Sequence, residues 1–549
     1  MNARSNPWLL AISLSAVTAA AALLRLYGLA DPPIWFDEAF TWRMTQYPTI
    51  EVIERAARDN NPPLFYLLLK CWIAAFGESE LALRLPAAVC GILTVVGVFL
   101  CLREAAGANL EHETQSAGAS PDEVGLWGAA FTCVSVLQIY WSRQARMYSL
   151  GTALLALASW SLFRALHARQ RAWPWWCAFS ALDVLFLYVH SYAIFSVASQ
   201  FLFLLIYVAS PKRWLAIRRF ASPGQDCTIS LSEFRSITER KYSRRQSWAI
   251  VSAISVVSLG WLAWVPFMVS QHAQVKRTFW IPPVSLQTVA ETCYKCFSTP
   301  EASRVSDFDV PGALAWLAAA LHLTGWIVLF CRRRAGEAFS VALSAGPMVM
   351  AVAISWVDTP ILHVRYLIFG HIFTLCSLAF LVTAIPVRWM RIVAGIGVLG
   401  NLCLPLEPLW TYADRAASRP GEREAARFID QNRRPQAVAI TSHTLMFLPL
   451  VYYSNHRNDW RIVGSLEQQP HYFGIASINA NDFLKADALR DYSCPEIWTV
   501  DGRRAFSKHI DQHGLRPEEW TLTLTEVFPA LHGRDSEVIV RRFMRTHSQ

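Results

Sequence analysis

Charged residues are scarce in this chain. Asp, Glu, Lys and Arg make up 17% of its 549 residues, whereas a typical soluble domain has about 25%. Hydrophobic residues make up 54%, and the mean hydropathy is +0.27. This composition excludes an ordinary soluble domain and predicts a membrane protein.

Other features are missing as well. The chain has no internal repeat, and its first apolar run is too long and lacks the small-residue cleavage site of a signal peptide. We therefore expect that run to remain as a membrane anchor. The net charge of +9 does not indicate nucleic-acid binding, because the basic residues collect in short stretches between apolar runs.

Long apolar runs recur along the chain. About 20 helical residues cross the hydrocarbon core of a bilayer. The runs predict about eleven transmembrane helices, near 7–29, 81–102, 125–141, 147–166, 173–189, 191–210, 248–270, 310–331, 337–357, 363–384 and 391–409.

Arg and Lys fix the expected orientation, since they favour cytoplasmic connections. With the N-terminus in the cytoplasm, the basic inside connections are 103–124, 164–172, 211–247, 332–336 and 385–390. The outside connections are poorer in positive charge and include 30–80, 142–146, 271–309 and 358–362. An odd number of spans also places the C-terminal tail outside the cytoplasm.

The tail differs in composition from the rest. From about Tyr412 it is polar, and a helical stretch is followed by the β-type runs QAVAITS, RIVGSL, EIWTV and SEVIVRRF. It has no Gly-rich phosphate loop. We predict a membrane domain over 1–411 and a small extracytoplasmic α/β domain over 412–549, which serves stability or acceptor recognition.

Two of the twelve cysteines form a CxxC pair, Cys293 and Cys296, in the outside loop 271–309. The others lie singly, mostly in apolar runs, where Cys packs as a small hydrophobe. Three interpretations of the pair stay open: a disulfide, two separate thiols, or redox or metal chemistry.

The first outside loop, 30–80, carries the run WFDEAF with adjacent acids Asp37 and Glu38. The plain interpretation is a helix N-cap and a first-turn acid. The alternative is the base of an enzyme that acts on membrane-bound substrates. The loop continues to Asp59-Asn60-Asn61 and a pair of prolines that can start the next helix.

Three other outside turns carry cations or His and Tyr side chains. They contribute Arg143 and Arg146; Tyr188, His190 and Tyr192; and His363, Arg365 and Tyr366. An Arg at the end of a span is commonly an interfacial anchor, but three such turns would face the acids of the first loop. Asp183 lies within a predicted span, where we expect a structural hydrogen bond to a neighbouring helix.

The ordered motifs WFDEAFT, DNNPPLFYLLLKCW, IYWSRQARMYSL, LYVHSYAIF and HVRYLIFG resemble those of a known family. They are similar to polyprenyl-phosphate-dependent glycosyltransferases of the GT-C fold. The closest branch is family 39, which includes protein O-mannosyltransferases and lipid A aminoarabinose transferases. The resemblance covers about the first 410 residues.

The resemblance implies transfer of a sugar from a lipid phosphate to an acceptor, with inversion. Asp37 is then the base and Glu38 orients the loop. In this reaction the leaving group is a phosphate, which needs no general acid, unlike the alkoxide leaving group in a glycosidase. Implied contacts to the donor phosphate or sugar come from Arg146, Arg365, His190, Tyr188, Tyr366, Asn60 and Asn61.

The chain departs from the aminoarabinose branch at one point. That branch has an acid and a lysine before the paired prolines, serving metal and phosphate, where this chain has Asn60 and Asn61. We therefore expect no essential cofactor. Asp37 and Asp59 stay the candidates should a divalent cation bind.

The expected partners are a polyprenyl-phosphate-linked sugar, the lipid bilayer and a lipid, glycan or protein acceptor, and not nucleic acid. The expected location is the inner or plasma membrane, with the active site on the extracytoplasmic side. Two alternatives stay open: a lipid or sugar transporter or flippase, and an inactive scaffold subunit of an envelope assembly complex. A transporter should show paired half-helices or inverted repeats, and the sequence shows neither.

Overall fold

The computed structural model describes residues 6–110, 119–168, 170–209, 244–277, 280–298, 311–485, 494–502, 518–532 and 535–546. Most of the predicted inside connection 211–247 lies outside these residues. The described chain consists of a long helical region followed by a mixed α/β region.

The helical region begins with one long helix, α1 (Pro7–Leu26), and a loop of three short helices. These are α2 (Phe36–Thr45), α3 (Thr49–Arg58) and α4 (Leu64–Phe76). The next six helices are α5 (Glu80–Leu110), α6 (Pro121–Val134), α7 (Val136–Ser142), α8 (Tyr148–His167), α9 (Trp173–Leu187) and α10 (Ala193–Ala209).

The rest of the helical region contains eight further helices among the described residues. Its helices are α11 (Arg244–Leu262), α12 (Val265–Arg277), α13 (Leu286–Lys295), α14 (Gly312–Cys331), α15 (Ala335–Val357), α16 (Ile368–Thr383), α17 (Arg388–Cys403) and α18 (Leu406–Ala417). A 3-10 turn, Val364–Leu367, precedes α16.

All eleven predicted spans correspond to helices. Within the described residues, seven helical stretches are long and apolar enough to cross a bilayer, and two bent pairs raise this to nine. The pairs are α6 with α7, bent by 60°, and α11 with α12, bent by 61°. The two remaining predicted spans correspond to α9 and α10, which are apolar but too short to pass this length criterion.

The break between α6 and α7 has a polar partner inside the bundle. A break frees carbonyl groups that must be satisfied away from water. Arg25 of α1 is completely buried, and its guanidinium donates to the carbonyl oxygens of Thr132 (3.2 Å) and Cys133 (3.1 Å) at the end of α6. A basic residue within the first apolar run thus stabilises a bend in another span.

The α/β region contains α19 (Glu422–Asn432), α20 (Thr444–Tyr453) and a six-stranded sheet. The strands are β1 (Val438–Thr441), β2 (Trp460–Val463), β3 (Phe483–Leu484), β4 (Glu496–Gly502), β5 (Trp520–His532) and β6 (Asp535–Arg545). The order is β3-β2-β1-β4-β6-β5, parallel from β3 to β4 and antiparallel from β4 to β5. The four predicted β-type runs are confirmed as β1, β2, β4 and β6.

The α/β region rests on the loop that carries Asp37 and Glu38. The hydroxyl of Tyr453 accepts a hydrogen bond from the backbone of Ile34 at 2.6 Å, and Arg457 pairs with Glu78 at 2.6 Å. The two acids and the sheet therefore lie at the same end of the helical bundle. The predicted domain boundary at Tyr412 falls inside α18 and stays a prediction.

Two further expectations concern buried groups. Asp183 of α9 is fully buried. When the side-chain amide of Gln200 on α10 is oriented with its nitrogen toward Asp183, this nitrogen donates to Oδ2 at 2.9 Å. This is the predicted bond to a neighbouring helix. Cys293 and Cys296 are both buried free thiols in the structure.

Candidate functional site

Asp37 lies in the first turn of α2, as the plain interpretation expected, but the N-cap residue is Trp35. The Asp37 carboxylate is 18% exposed, and its Oδ2 lies 3.6 Å from Nη1 of Arg365. This separation is too long for a strong hydrogen bond. The carboxylate thus faces a cation and keeps access to solvent.

Glu38 occupies a completely different environment. Its carboxylate is fully buried and receives Nε and Nη2 of Arg84, each at 2.7 Å, and the backbone N–H of Ala145 at 2.8 Å. A buried bidentate pair of this kind fixes geometry. Glu38 therefore anchors the loop to α5 and to the turn before α8, and it is not available to take a proton.

Arg146 reaches α2 from the turn between α7 and α8. Its Nη1 donates to the backbone oxygen of Asp37 at 3.1 Å and to Oγ1 of Thr41 at 2.9 Å. Burial opposes the charge of Arg146, but attraction to Asp37 and Tyr66 outweighs it and raises the pKa. The guanidinium therefore stays positive beside the Asp37 helix.

Arg143 has a structural position instead. Its guanidinium donates to the carbonyl oxygens of Tyr27 (2.5 Å) and Gly28 (3.0 Å), beyond the end of α1. These carbonyls lie where a helix leaves its last acceptors unpaired. Of the two arginines in YWSRQARMYSL, only Arg146 faces Asp37.

Arg365 is held by aromatic rings. Its Nη2 donates to the Tyr366 hydroxyl at 2.8 Å, and its guanidinium lies 4.7 Å from the ring centre of Trp280. Arg365 lies in the 3-10 turn Val364–Leu367, and the N-cap of this turn is His363. Nδ1 of His363 accepts the backbone N–H of Arg365 at 3.3 Å. Sequence reasoning missed Trp280, because nothing in its local pattern sets it apart from other aromatic residues near a span.

His190 is buried beside the same rings. Its Nδ1 accepts the backbone N–H of Tyr192 at 3.1 Å, and its ring lies 5.4 Å from Tyr148 and 5.5 Å from Tyr366. Burial, helped by the nearby charges of Arg146 and Arg365, lowers the pKa of His190 to about 3. The imidazole is therefore neutral at physiological pH.

Tyr188 does not join this group. Its hydroxyl donates to the carbonyl oxygen of Gly260 at 3.0 Å, and its ring packs against Trp261 and Trp264. In this structure Tyr188 thus takes part in packing between α9 and α11, and it is not brought together with the other predicted donor contacts. Tyr148, which the sequence did not single out, occupies the place beside His190.

The Asn pair lies at the rim of the site. Ser191 donates to the backbone oxygen of Asn60 at 2.5 Å, and the side chain of Asn61 hydrogen-bonds to Asp59. Burial raises the pKa of Asp59, although the N–H of Asn60 and the charge of Arg146 oppose the shift. Tyr66 donates to Asp59 at 3.4 Å.

Several buried polar atoms at this site have no hydrogen-bond partner among the described residues. They are Nε of Arg146, Nε of Arg365, Nε2 of His190 and Oδ1 of Asn60. Buried polar groups are nearly always paired in a folded protein. The group therefore has the character of a binding site for a polar ligand.

The described residues do not fit a metal site. Among them, no three His, Cys, Asp or Glu side chains come together. Asp37 and Asp59 both interact with the charge of Arg146, and Asp37 also faces Arg365. A cation between these acids would meet two positive groups, and we derive no step through a metal.

Comparison with known proteins gives one family match. Residues 60–220 match the family described as dolichyl-phosphate-mannose-protein mannosyltransferase. This stretch includes Asn60, Arg146 and His190, whereas Asp37 and Arg365 lie outside it. Comparison with curated proteins gives no significant match.

Two solved structures of ArnT from Cupriavidus metallidurans are similar along nearly the whole chain. The structure bound to undecaprenyl phosphate has a TM-score of 0.56 and 13% identity, and the match covers 98% of both chains. The apo structure has the same TM-score and 10% identity, covering 96% of this chain and 97% of ArnT. The chain has the GT-C fold.

The predicted resemblance and fold class are thereby confirmed. The GT-C likeness extends through the C-terminal α/β region, since the match covers 98% of the chain. At 13% identity it establishes the fold, and the family match supports a membrane glycosyltransferase.

Proposed function

We propose that the chain is a membrane glycosyltransferase that moves a sugar from a polyprenyl-phosphate-linked donor to an extracytoplasmic acceptor. The family match and the GT-C fold support this reaction class. The observation that carries the proposal is the position of Asp37: its carboxylate is partly exposed and lies beside two arginines, each with an unpartnered Nε among the described residues.

The geometry supports a role for Arg146 and Arg365 in holding the donor phosphate. A guanidinium binds phosphate through two parallel hydrogen bonds. The unpartnered Nε atoms leave each arginine with donors to offer. Neutral His190 can donate its Nε2–H to an oxygen of the phosphate or the sugar, and Oδ1 of Asn60 can accept a hydrogen bond from a sugar hydroxyl.

Phosphate binding also prepares the base. Asp37 interacts with Arg365 across 3.6 Å in the free protein. A phosphate that binds Arg365 weakens this interaction, and Asp37 can then accept the proton of an acceptor hydroxyl. The acceptor oxygen then attacks the anomeric carbon and forms the new glycosidic bond, with inversion of the anomeric centre. The bond between this carbon and the phosphate oxygen breaks, and the phosphate leaves with the bonding electrons.

The distribution of Arg and Lys supports an extracytoplasmic site in the inner or plasma membrane. The C-terminal domain then lies on the same side, because it contacts the loop of Asp37. A topology reporter fused at Ser418 should be active only outside the cytoplasm. Activity only inside would reject both the orientation and the placement of the site.

A transporter is the second candidate, and the two bent helix pairs favour it. Transporters use broken helices to bind their substrates. At the break between α6 and α7, however, the free carbonyls are already bound by Arg25. A transporter also gives no role to Asp37.

The test is turnover of a synthetic short-chain polyprenyl-phosphate sugar by the chain in lipid nanodiscs. Asp37→Asn keeps the size of the side chain but removes the base, so turnover should fall by at least ~10²-fold. Asp31→Asn makes the same chemical change at an exposed position in the same loop and should leave turnover unchanged. Near-normal turnover of Asp37→Asn at equal protein levels would reject the mechanism.

The acceptor is a hydroxyl-bearing lipid, glycan or protein. Mass spectrometry of envelope glycans and lipids from a deletion strain should show the loss of one sugar modification. An unchanged profile together with donor-dependent transport in vesicles would favour the transporter.

A further inference from the structure

A segment of the C-terminal domain lies directly against the helix of Asp37. Residues 474–482, which we call the strap, run from Gly474 to Asp482 before β3. They contact α2 and α3 in the first outside loop through backbone and side-chain groups. Residues more than 420 positions apart in the sequence are thus joined at the loop that carries the proposed base.

Gly474 makes the closest approach. A Cβ atom at this position would lie 2.9 Å from Cζ of Phe36 and 3.2 Å from Cδ2 of Phe40. Because real Cβ atoms essentially never lie within 3.0 Å of another heavy atom, a Cβ here would force the Phe36 ring to move. Gly474 also has φ +73°, a left-handed conformation that favours glycine. Both constraints require glycine where the strap meets α2.

The contacts of Gly474 bracket the proposed base. Phe36 precedes Asp37 in the chain, and Phe40 follows it by three residues on α2. Phe40 packs edge-on against Tyr66, with ring centres 6.1 Å apart, and lies 6.0 Å from the guanidinium of Arg146. The strap therefore contacts Phe40, whose ring lies beside Tyr66 and Arg146 of the candidate site.

Polar contacts hold the remainder of the strap. The Tyr47 hydroxyl donates to the backbone oxygen of Ser477 at 2.8 Å. Arg55 donates to the backbone oxygen of Ala476 at 2.9 Å and to Oδ1 of Asn479 at 2.5 Å. The Arg55 guanidinium also lies 3.5 Å from the centre of the Tyr47 ring.

Arg43, at the other end of α2, lies 3.5 Å from the Asp482 carboxylate. Asp482 in turn accepts the backbone N–H of Asn479 at 2.8 Å. The strap thus has contacts at both ends of α2 and along α3. On its opposite side, α2 is fixed by the Glu38–Arg84 pair.

We propose that the strap positions the base: the C-terminal domain holds α2 through Gly474, so that Asp37 and Arg146 keep the spacing that the transfer step needs. Gly474 is a positioning residue and does not itself touch the substrate. The inference rests on the proposed glycosyltransferase function. It gives the C-terminal domain a part in the chemical step, in addition to any role in stability.

The first test compares two glycines of the C-terminal domain. Gly464 also has a positive φ, but a Cβ there would meet only Nε2 of Gln469, at 3.8 Å. Gly464→Ala therefore introduces backbone strain without displacing α2. Gly474→Ala introduces strain and also displaces Phe36 and Phe40.

A misplacement of about 1 Å can cost on the order of 10²-fold in rate. We expect Gly474→Ala to lower kcat by at least about tenfold, with little change in the KM for the donor. Gly464→Ala should leave kcat near the wild-type value. Equal kcat values for the two variants, or a raised donor KM with an unchanged kcat, would overturn the proposal.

A rescue experiment separates displacement from general damage. Phe36→Leu makes room at the contact, so Gly474→Ala should cost less in the Phe36→Leu background than in the wild type. If the same loss appears in both backgrounds, the contact with Phe36 is not the cause and the proposal fails.

Tyr47→Phe provides a variant that keeps the packing. It removes the hydroxyl that donates to Ser477 and should lower kcat several-fold at a temperature where the variant remains folded. Hydrogen exchange of the α2 amides should become faster in Tyr47→Phe and in Gly474→Ala, but not in Gly464→Ala. If Tyr47→Phe changes neither the hydrogen exchange of the α2 amides nor kcat, the proposed role of the strap is contradicted.

Failure of the strap can be distinguished from failure of the reaction itself. If Asp37→Asn abolishes turnover while Gly474→Ala retains it, the proposed function stands and the strap does not act on the base. If Asp37→Asn keeps turnover, the assigned base is wrong. In that case the hydrogen-exchange result still decides whether the strap holds α2.

Discussion

Glu38 and Arg84 form a buried ion pair, and breaking this pair should lower the free energy of unfolding. In Glu38→Gln, Arg84 keeps its positive charge in a site where its side chain is 3% exposed and that of Glu38 is 0% exposed. Arg84 also donates to the carbonyl oxygens of Leu29 and Pro32 at 2.9 Å and 2.8 Å. It cannot leave without stranding those carbonyls.

The magnitude follows from this environment. Removing one partner of a buried pair costs about 3–5 kcal/mol, because the remaining charge stays buried without compensation. Gln keeps one carbonyl oxygen that can accept from Arg84 or Ala145, so we expect about 3 kcal/mol. Replacing both partners does not restore stability, since the carbonyls bound by Arg84 also lose their donors.

The assay is unfolding by SDS titration in mixed micelles, followed by tryptophan fluorescence. The matched control is Asp122→Asn, because Arg103 and Asp122 also lie 2.7 Å apart, but Arg103 is 50% exposed and Asp122 14% exposed, so Arg103 stays hydrated when its partner is lost. A pair at the surface contributes about 0–1 kcal/mol. The double variant Glu38→Gln/Arg84→Met completes a cycle that isolates the coupling between the two side chains.

A clear result would refute the reasoning. If Glu38→Gln unfolds at the same SDS fraction as Asp122→Asn, the pair does not fix the loop as its burial indicates. If Glu38→Gln stays fully folded but loses turnover as strongly as Asp37→Asn, Glu38 acts in the chemical step. The expected pattern is the reverse: loss of stability with a smaller loss of turnover.

Three further predictions follow from the site. Arg365→Ala should raise the donor KM by about 10- to 150-fold, since a lost charged partner costs ~1.5–3 kcal/mol, and Arg365→Lys should restore part of it in steady-state kinetics. Because burial lowers the pKa of His190 to about 3, the unfolded chain binds a proton below pH 6.5 that the folded chain does not. Unfolding free energy should therefore fall by about 1.4 kcal/mol per pH unit below about pH 6, and a pH series of SDS titrations should show His190→Gln without this contribution. Tyr366→Phe should raise the donor KM and Tyr188→Phe should not, because only Tyr366 contacts Arg365; equal effects in the kinetic assay would contradict this assignment.

Much of the membrane domain could be predicted from the sequence, because bilayer insertion depends on runs of apolar residues. The helices match the apolar runs in order, including the runs that bend. The order of the polar motifs likewise predicted the resemblance. In the C-terminal domain, alternating helix and strand signals predicted an α/β fold, although β3 and β5 were missed and the strand order could not be read from local patterns.

The candidate site was predictable only in part. Arg146, His190, Arg365 and Tyr366 lie together, as their positions at the outside ends of spans indicated. The residue pattern alone did not distinguish Arg143 from Arg146, because both occupy the same short turn, and only the resemblance favoured Arg146. Their roles separate only when one guanidinium points to the end of α1 and the other to α2.

By itself, the sequence determined the membrane class, the apolar spans and the presence of acids next to a span, since composition and spacing are local properties. Tertiary structure alone decided that Asp37 stays partly exposed while Glu38 is buried against Arg84, although the two acids are neighbours. It also decided that Gly474 meets Phe36 across more than 430 positions of sequence. Such contacts depend on how whole helices and domains pack against each other, and no local pattern records that packing.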